Sequence, residues 1–113
     1  MDIEKFLELT NSLEKKKKGK KEELEKIQRF FERFHLLNRA YLDKETFEKA
    51  QNSISSMAET IVNTIRYLDS EIARLGSKRM KMPFENVTLG EMQKVRNRNE
   101  MLIKEYLESI SKQ

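Results

Sequence analysis

The chain of 113 residues has no cysteine and no tryptophan, one proline, one histidine and three glycines. Without cysteine there is no disulfide framework and no thiolate to act as nucleophile or metal ligand. The three glycines, Gly19, Gly76 and Gly90, are far apart, which excludes a glycine-rich phosphate cradle. No stretch approaches the roughly 18 consecutive apolar residues that a membrane-spanning helix needs. The start, Met1-Asp2-Ile3-Glu4, is acidic and lacks the basic and then apolar regions of a signal peptide. The expected location is therefore cytoplasmic. Strand-like alternation of apolar and polar residues is also missing.

Charged residues make up 37% of the chain and hydrophobic residues another 37%. That balance is too apolar for a disordered segment and too charged for a bilayer. Apolar residues recur in steps of three and four, the period of one helix face. The longest such stripe carries Phe47, Ala50, Ile54, Met57, Ile61, Ile65, Leu68, Ile72 and Leu75 between Asp43 and Gly76. Asp43 is a suitable N-cap and Gly76 a suitable stop. A second stripe holds Leu24, Ile27, Phe31, Phe34 and Tyr41, widened by Phe30 and Leu37. An earlier helix presents Ile3, Phe6, Leu7 and Leu13, and a break is expected at Gly19, with one continuous helix as the alternative. The last stripe runs from Leu89 through Met92, Val95, Leu102, Ile103 and Tyr106 to Ile110. Thr88 with Glu91 three residues on has the spacing of a capping box at its start.

The expected fold is one all-α domain over residues 1–113, an antiparallel four-helix bundle. Its helices cover about 2–17, 20–42, 44–75 and 88–111, with one longer loop over 76–87. Met80, Met82 and Phe84 in that loop are expected to tuck under the bundle end.

The charges matter most once this topology is assumed. In an up-down-up-down bundle the first and third connections share one end. The first contains Lys15, Lys16, Lys17, Lys18, Lys20 and Lys21; the third contains Lys78, Arg79 and Lys81. Removing these nine from the 23 basic residues leaves 14 against 19 acidic ones. A net charge of +4 would then conceal one strongly cationic end, with Lys94, Arg96 and Arg98 extending it down the last helix. Such a cluster suits the phosphate backbone of DNA or RNA, with little sequence preference. The plainer explanations are complementation of helix C-termini and solubility. An anionic membrane surface is a weaker alternative. No aromatic side chain is interleaved with the lysines, so base stacking is not indicated.

A second reading comes from the long third stripe. Between Ala50 and Ile65 the only charged residue is Glu59. The back of that helix carries Ser53, Ser56, Thr60 and Asn63, small polar groups that tolerate close packing. They mark a face covered by the chain's own bundle or by a partner. The alternative function is thus a protein-interaction or assembly module, a homodimer or a subunit of a larger helical complex.

Nothing points to catalysis. Glu32 and His35 have the Glu-x-x-His spacing of di-iron bundles, but His35 is the sole histidine and such a site needs two. No Gly-x-Ser-x-Gly turn supports a nucleophilic serine. The expectation is a non-enzyme without metal or cofactor. Leu24-Glu25-Lys26-Ile27-Gln28-Arg29-Phe30-Phe31 resembles the sliding-clamp-binding box at Ile27, Phe30 and Phe31. Leu24 stands where that box opens with glutamine, and no function is carried over from it.

Overall fold

The computed structural model describes residues 2–111. They form five helices and no strand: α1 Ile3–Lys15, α2 Lys20–Leu37, α3 Lys44–Ala50, α4 Ile54–Gly76 and α5 Pro83–Ser111.

The break between α1 and α2 is built on glycine. Lys16 leaves α1 in an extended conformation, and Gly19 adopts φ 75° before Lys20 opens α2. A side chain at that φ would be strained.

The expected third helix is two helices. Gln51 closes α3, and Ser53 is extended (φ −156°, ψ 159°) ahead of α4. The Ser53 hydroxyl accepts from the Ser56 amide at 3.1 Å, as an N-cap serine does. A Glu14 carboxylate oxygen accepts from the Ile54 amide at 3.1 Å. That second cap comes from the end of α1 and places an anion at the positive end of α4.

The last helix begins at Pro83, five residues before Thr88. Proline suits the first helical position because it has no amide there to leave unbonded. Glu85 reaches back to accept from the Met82 amide at 3.2 Å. Thr88 lies inside the helix, and its hydroxyl donates to the Phe84 carbonyl at 2.9 Å. The loop is therefore Ser77–Met82, and Met80, Met82 and Phe84 are exposed instead of tucked in.

Side-chain pairs give the helix directions. Phe30 stacks on Tyr106 at 4.8 Å, Arg33 meets Glu105, and Asn38 meets Asn99, so α2 and α5 are antiparallel. Arg96 on α5 reaches Asp69 on α4 at 2.6 Å. Phe47 on α3 packs against Phe31 at 4.8 Å and His35 at 4.1 Å, so α3 folds back beside the second half of α2. This adds one reversal to the expected path. α4 therefore starts beside the end of α1 instead of ending there.

Two cores result. The larger joins α1, α2, α4 and α5 through Phe6, Leu13, Ile27, Phe30, Phe31, Phe34, Ile61, Ile65 and Ile103, with Leu42 and Ala50 from the α3 region. The smaller holds Leu68, Leu75 and Met92, with Tyr41, Ile72, Leu89 and Val95 packed on it. It forms an arm from the second half of α4 and the first half of α5. The molecule is 54 × 28 × 17 Å. Within the larger core Asn38 and Asn99 are fully buried. Each amide donates to the other's oxygen, at 2.7 and 2.9 Å, and Asn38 also donates to the Phe34 carbonyl at 2.7 Å. Tyr106 lies in the same core, and burial, reinforced by Glu23, pushes its hydroxyl well above the usual tyrosine range.

Candidate nucleic-acid interface

The lysine-rich connection is a short turn between two hydrogen-bonded helix ends. The Lys16 amide donates to the Leu13 carbonyl at 3.2 Å, and the Glu23 amide to the Gly19 carbonyl at 3.1 Å. Glu14 fixes its base: one carboxylate oxygen holds Ile54, and the other lies 3.8 Å from the Lys20 ammonium. Lys15, Lys16, Lys17, Lys18, Lys20 and Lys21 are all exposed. Apart from Lys20, none is within ion-pair distance of an acid among the described residues. The ends of α1 and α3 and the starts of α2 and α4 all lie at this end, so their helix dipoles offset one another and the cationic character rests on the lysines.

The other cationic loop lies at the opposite end. Glu14 puts the lysine turn at the start of α4, whereas Lys78, Arg79 and Lys81 follow its end. The 23 residues of α4 span about 34 Å at 1.5 Å per residue. At a Debye length of about 8 Å the two clusters do not reinforce each other. The single cationic end expected from the sequence is thus divided into two, because α3 reverses the chain once more than a four-helix path would.

The distal cations are also more engaged. Lys78 pairs with Glu85, and Lys81 donates to the Lys78 carbonyl at 3.2 Å. The Lys78 hydrogen bond, with the Met82 amide behind it, holds the Glu85 carboxyl below its usual range. Arg74 donates twice to one oxygen of Glu71, at 3.1 and 2.7 Å, which lowers the Glu71 carboxyl and raises the guanidinium. On α5, Lys94 lies 3.8 Å from Glu91, and Arg96 bridges Asp69 and Glu100. Arg96 is a strut between α5 and α4. Arg98 is exposed and borders an apolar groove formed by Leu36, Leu37, Met101 and Leu102.

The charge-poor face of the long stripe has a local cause. α4 touches all four other helices, so few of its positions can carry charge. Ser53 caps it by accepting from the Ser56 amide, with the two hydroxyls 2.9 Å apart. Thr60 is half-buried and Asn63 exposed; both line a shallow depression with Tyr41, Asp43, Thr46 and Tyr67. The four residues do not form one open surface.

Ile27, Phe30 and Phe31, the apolar positions of the clamp-box resemblance, are buried in the core. His35 lies flat on Phe47, with 9° between the ring planes. No cluster of three or more His, Asp or Glu among the described residues could hold a metal ion, and no helix there is long and apolar enough to cross a membrane. Sequence reasoning missed the exposed apolar loop of the arm. Its signal was that Met80, Met82 and Phe84 continue neither neighbouring helical stripe. No protein-family model, curated protein or solved structure matches this chain.

Proposed function

We propose that the protein is a non-catalytic, nucleic-acid-associated accessory protein that grips the phosphate backbone through the lysine turn at Lys15–Lys21. One observation carries this reading: six exposed lysines sit in seven residues, held by Gly19 and Glu14, and only one of them is near an acid. Ammonium groups that have no acid to leave are free to meet phosphates, and each that does so releases counterions. The turn has no base-reading group, so it contributes affinity without sequence preference.

The test is a salt titration on labelled DNA and RNA. About five phosphate contacts give a log–log salt slope near −4.5 on duplex DNA. Changing Lys15, Lys16, Lys17, Lys18, Lys20 and Lys21 to Gln lowers affinity for all sequences alike and flattens that slope. Absence of binding by the parent at about 50 mM salt, where phosphate contacts are strongest, sinks the proposal.

A second reading, an assembly module, is favoured by the groove between α2 and α5, where Leu36 and Met101 are largely exposed. It predicts a particle larger than one chain by light scattering, reduced to single chains by Met101→Lys. A native chain that runs as a monomer removes self-association.

A further inference from the structure

The free end of the α4–α5 arm is the most apolar exposed part of the described chain. Met80 is 91% exposed, Met82 59%, Phe84 67% and Val87 67%. Four of the seven large exposed hydrophobics among the described residues fall within the eight positions 80–87. The fold does not need them there. The loop is held by Glu85, which caps the Met82 amide and pairs with Lys78, and by backbone bonds from the Glu85 and Asn86 amides to the Met82 carbonyl. Polar residues at the four apolar positions would leave all of those bonds in place. Isolated apolar side chains on a surface are ordinary, but a concentrated group marks a contact site.

The same segment is cationic. From Arg74 to Thr88 it carries Arg74, Lys78, Arg79 and Lys81 against Glu85 alone, a net +3. Arg79 has no ion-pair partner among the described residues. A second copy of the chain docked end to end would bring two such groups together, which like-charge repulsion disfavours. A bilayer entered by this end would leave the lysine turn at the far end of α4, several Debye lengths away. A flexible polyanion that also carries flat apolar faces answers both features and can reach both ends. Single-stranded nucleic acid has that chemistry, whereas a duplex keeps its base faces inside the stack.

We infer that the arm tip is a stacking platform for unpaired bases, with Phe84 as the aromatic surface, Met80 and Met82 beside it, and Arg79 and Lys81 meeting the flanking phosphates. This rests on the reading of the protein as a nucleic-acid binder and adds a base-contacting site about 34 Å along α4 from the lysine turn.

The chain has no tryptophan and three tyrosines, so F84W supplies a single tryptophan at the tip that can be excited apart from the tyrosines. The probes are an oligothymidylate of about 20 nucleotides, long enough to exceed one binding site, and an abasic strand of the same length. Oligothymidylate quenches the F84W emission and the abasic strand does not. F84A binds oligothymidylate about 5- to 150-fold more weakly than the parent, the range for loss of one stacked base, and binds the abasic strand as the parent does. Because Phe84 is exposed, both variants keep the parent's circular dichroism. Equal binding of oligothymidylate by F84A and the parent overturns the platform and leaves the lysine turn standing. A blue shift and brightening of F84W with phosphatidylcholine–phosphatidylserine vesicles, without quenching by either strand, overturns it in favour of a membrane contact. Failure of the parent to bind either strand removes the nucleic-acid reading and this site with it.

Discussion

The two halves of α4 live in different surroundings. Its first half buries Ile54, Met57, Ala58, Ile61, Val62, Thr64 and Ile65 among four other helices. Its second half buries Leu68 and Leu75, mainly against α5 and Tyr41. The sequence is equally helical throughout, so the contrast comes from packing. The body has enough core to fix a lysine turn at one end. The arm is a two-helix extension with a thin apolar seam, and such regions open at lower free energy than the global unfolding. Both proposed contacts sit where this division places them, one at the end of the larger core and one at the end of the arm.

The sharpest way to break the comparison is to remove apolar volume from each part. Phe31 of α2 is fully buried, with its ring against Phe47 of α3. Phe31→Ala is expected to cost about 3–5 kcal/mol of global stability, seen as a lower denaturation midpoint. Leu75→Ala removes a smaller side chain from the arm seam. Its effect is concentrated there: amides of about 68–92 lose hydrogen-exchange protection while those of α1 and α2 keep theirs. If Leu75→Ala lowers protection in α1 and α2 as much as in the arm, the two parts are one cooperative unit.

The next effect concerns what locks the body to the start of the arm. Asn38 and Asn99 sit where α2 ends and where α5 begins to pack on the larger core. Asn99→Leu leaves the Asn38 Oδ1 without its donor, while the Asn38 amide keeps the Phe34 carbonyl, and it puts a somewhat larger side chain of the same branching at the site. Leaving a buried oxygen unsatisfied costs about 1–3 kcal/mol. Changing both residues to Leu recovers much of that loss, since neither polar group then remains buried. A double variant as unstable as the single one would show that shape, not hydrogen bonding, matters at this site.

The helical content and most core residues were legible in the sequence, because stripes such as Leu24, Ile27, Phe31 and Phe34 follow the helical period. The direction of α4 was not. Ala50 and Ile54 keep the stripe in phase across the break, so periodicity runs through Gln51, Asn52 and Ser53 without a mark. The break is closed by Ser53 and by Glu14, whose role depends on a contact 40 residues away. That one missed reversal moved a cationic loop from one end of the molecule to the other. At α5 the Thr88–Glu91 spacing pointed to a later start than the one used, and the contact that closes the first turn is Glu85 on the Met82 amide. The proline between Met82 and Phe84 favours the earlier start, as α5 shows. The cationic residues were legible as residues, but their distribution into two groups followed from topology alone. The Asn38–Asn99 pair, 61 residues apart in sequence, had no local signal.

The smallest effect separates body from arm by pH. Glu85 caps the first turn of α5 and pairs with Lys78, and these contacts lower its carboxyl from the ordinary 4.5. Asp43 caps α3 in the same manner, lowered first by the Thr46 amide. For a carboxyl lowered in the folded state, the stabilisation is fully present above the unfolded-state value. It is lost as pH falls through the folded-state value. Both caps therefore weaken on acidification below about 4, but they weaken against different backgrounds. α3 remains pinned by Phe47 between Phe31 and His35, whereas the start of α5 has only exposed Met82, Phe84 and Val87 around it. Hydrogen exchange of the amides near Glu85 should accelerate at lower pH, relative to intrinsic rates, than any change at α3 would explain. Glu85→Gln should leave the tip less protected at neutral pH and remove most of its acid response. An arm tip whose protection is the same at pH 7 and about pH 3, well below the ordinary carboxyl range, would mean that the seam of Leu75, Leu89 and Met92 holds the tip without its cap.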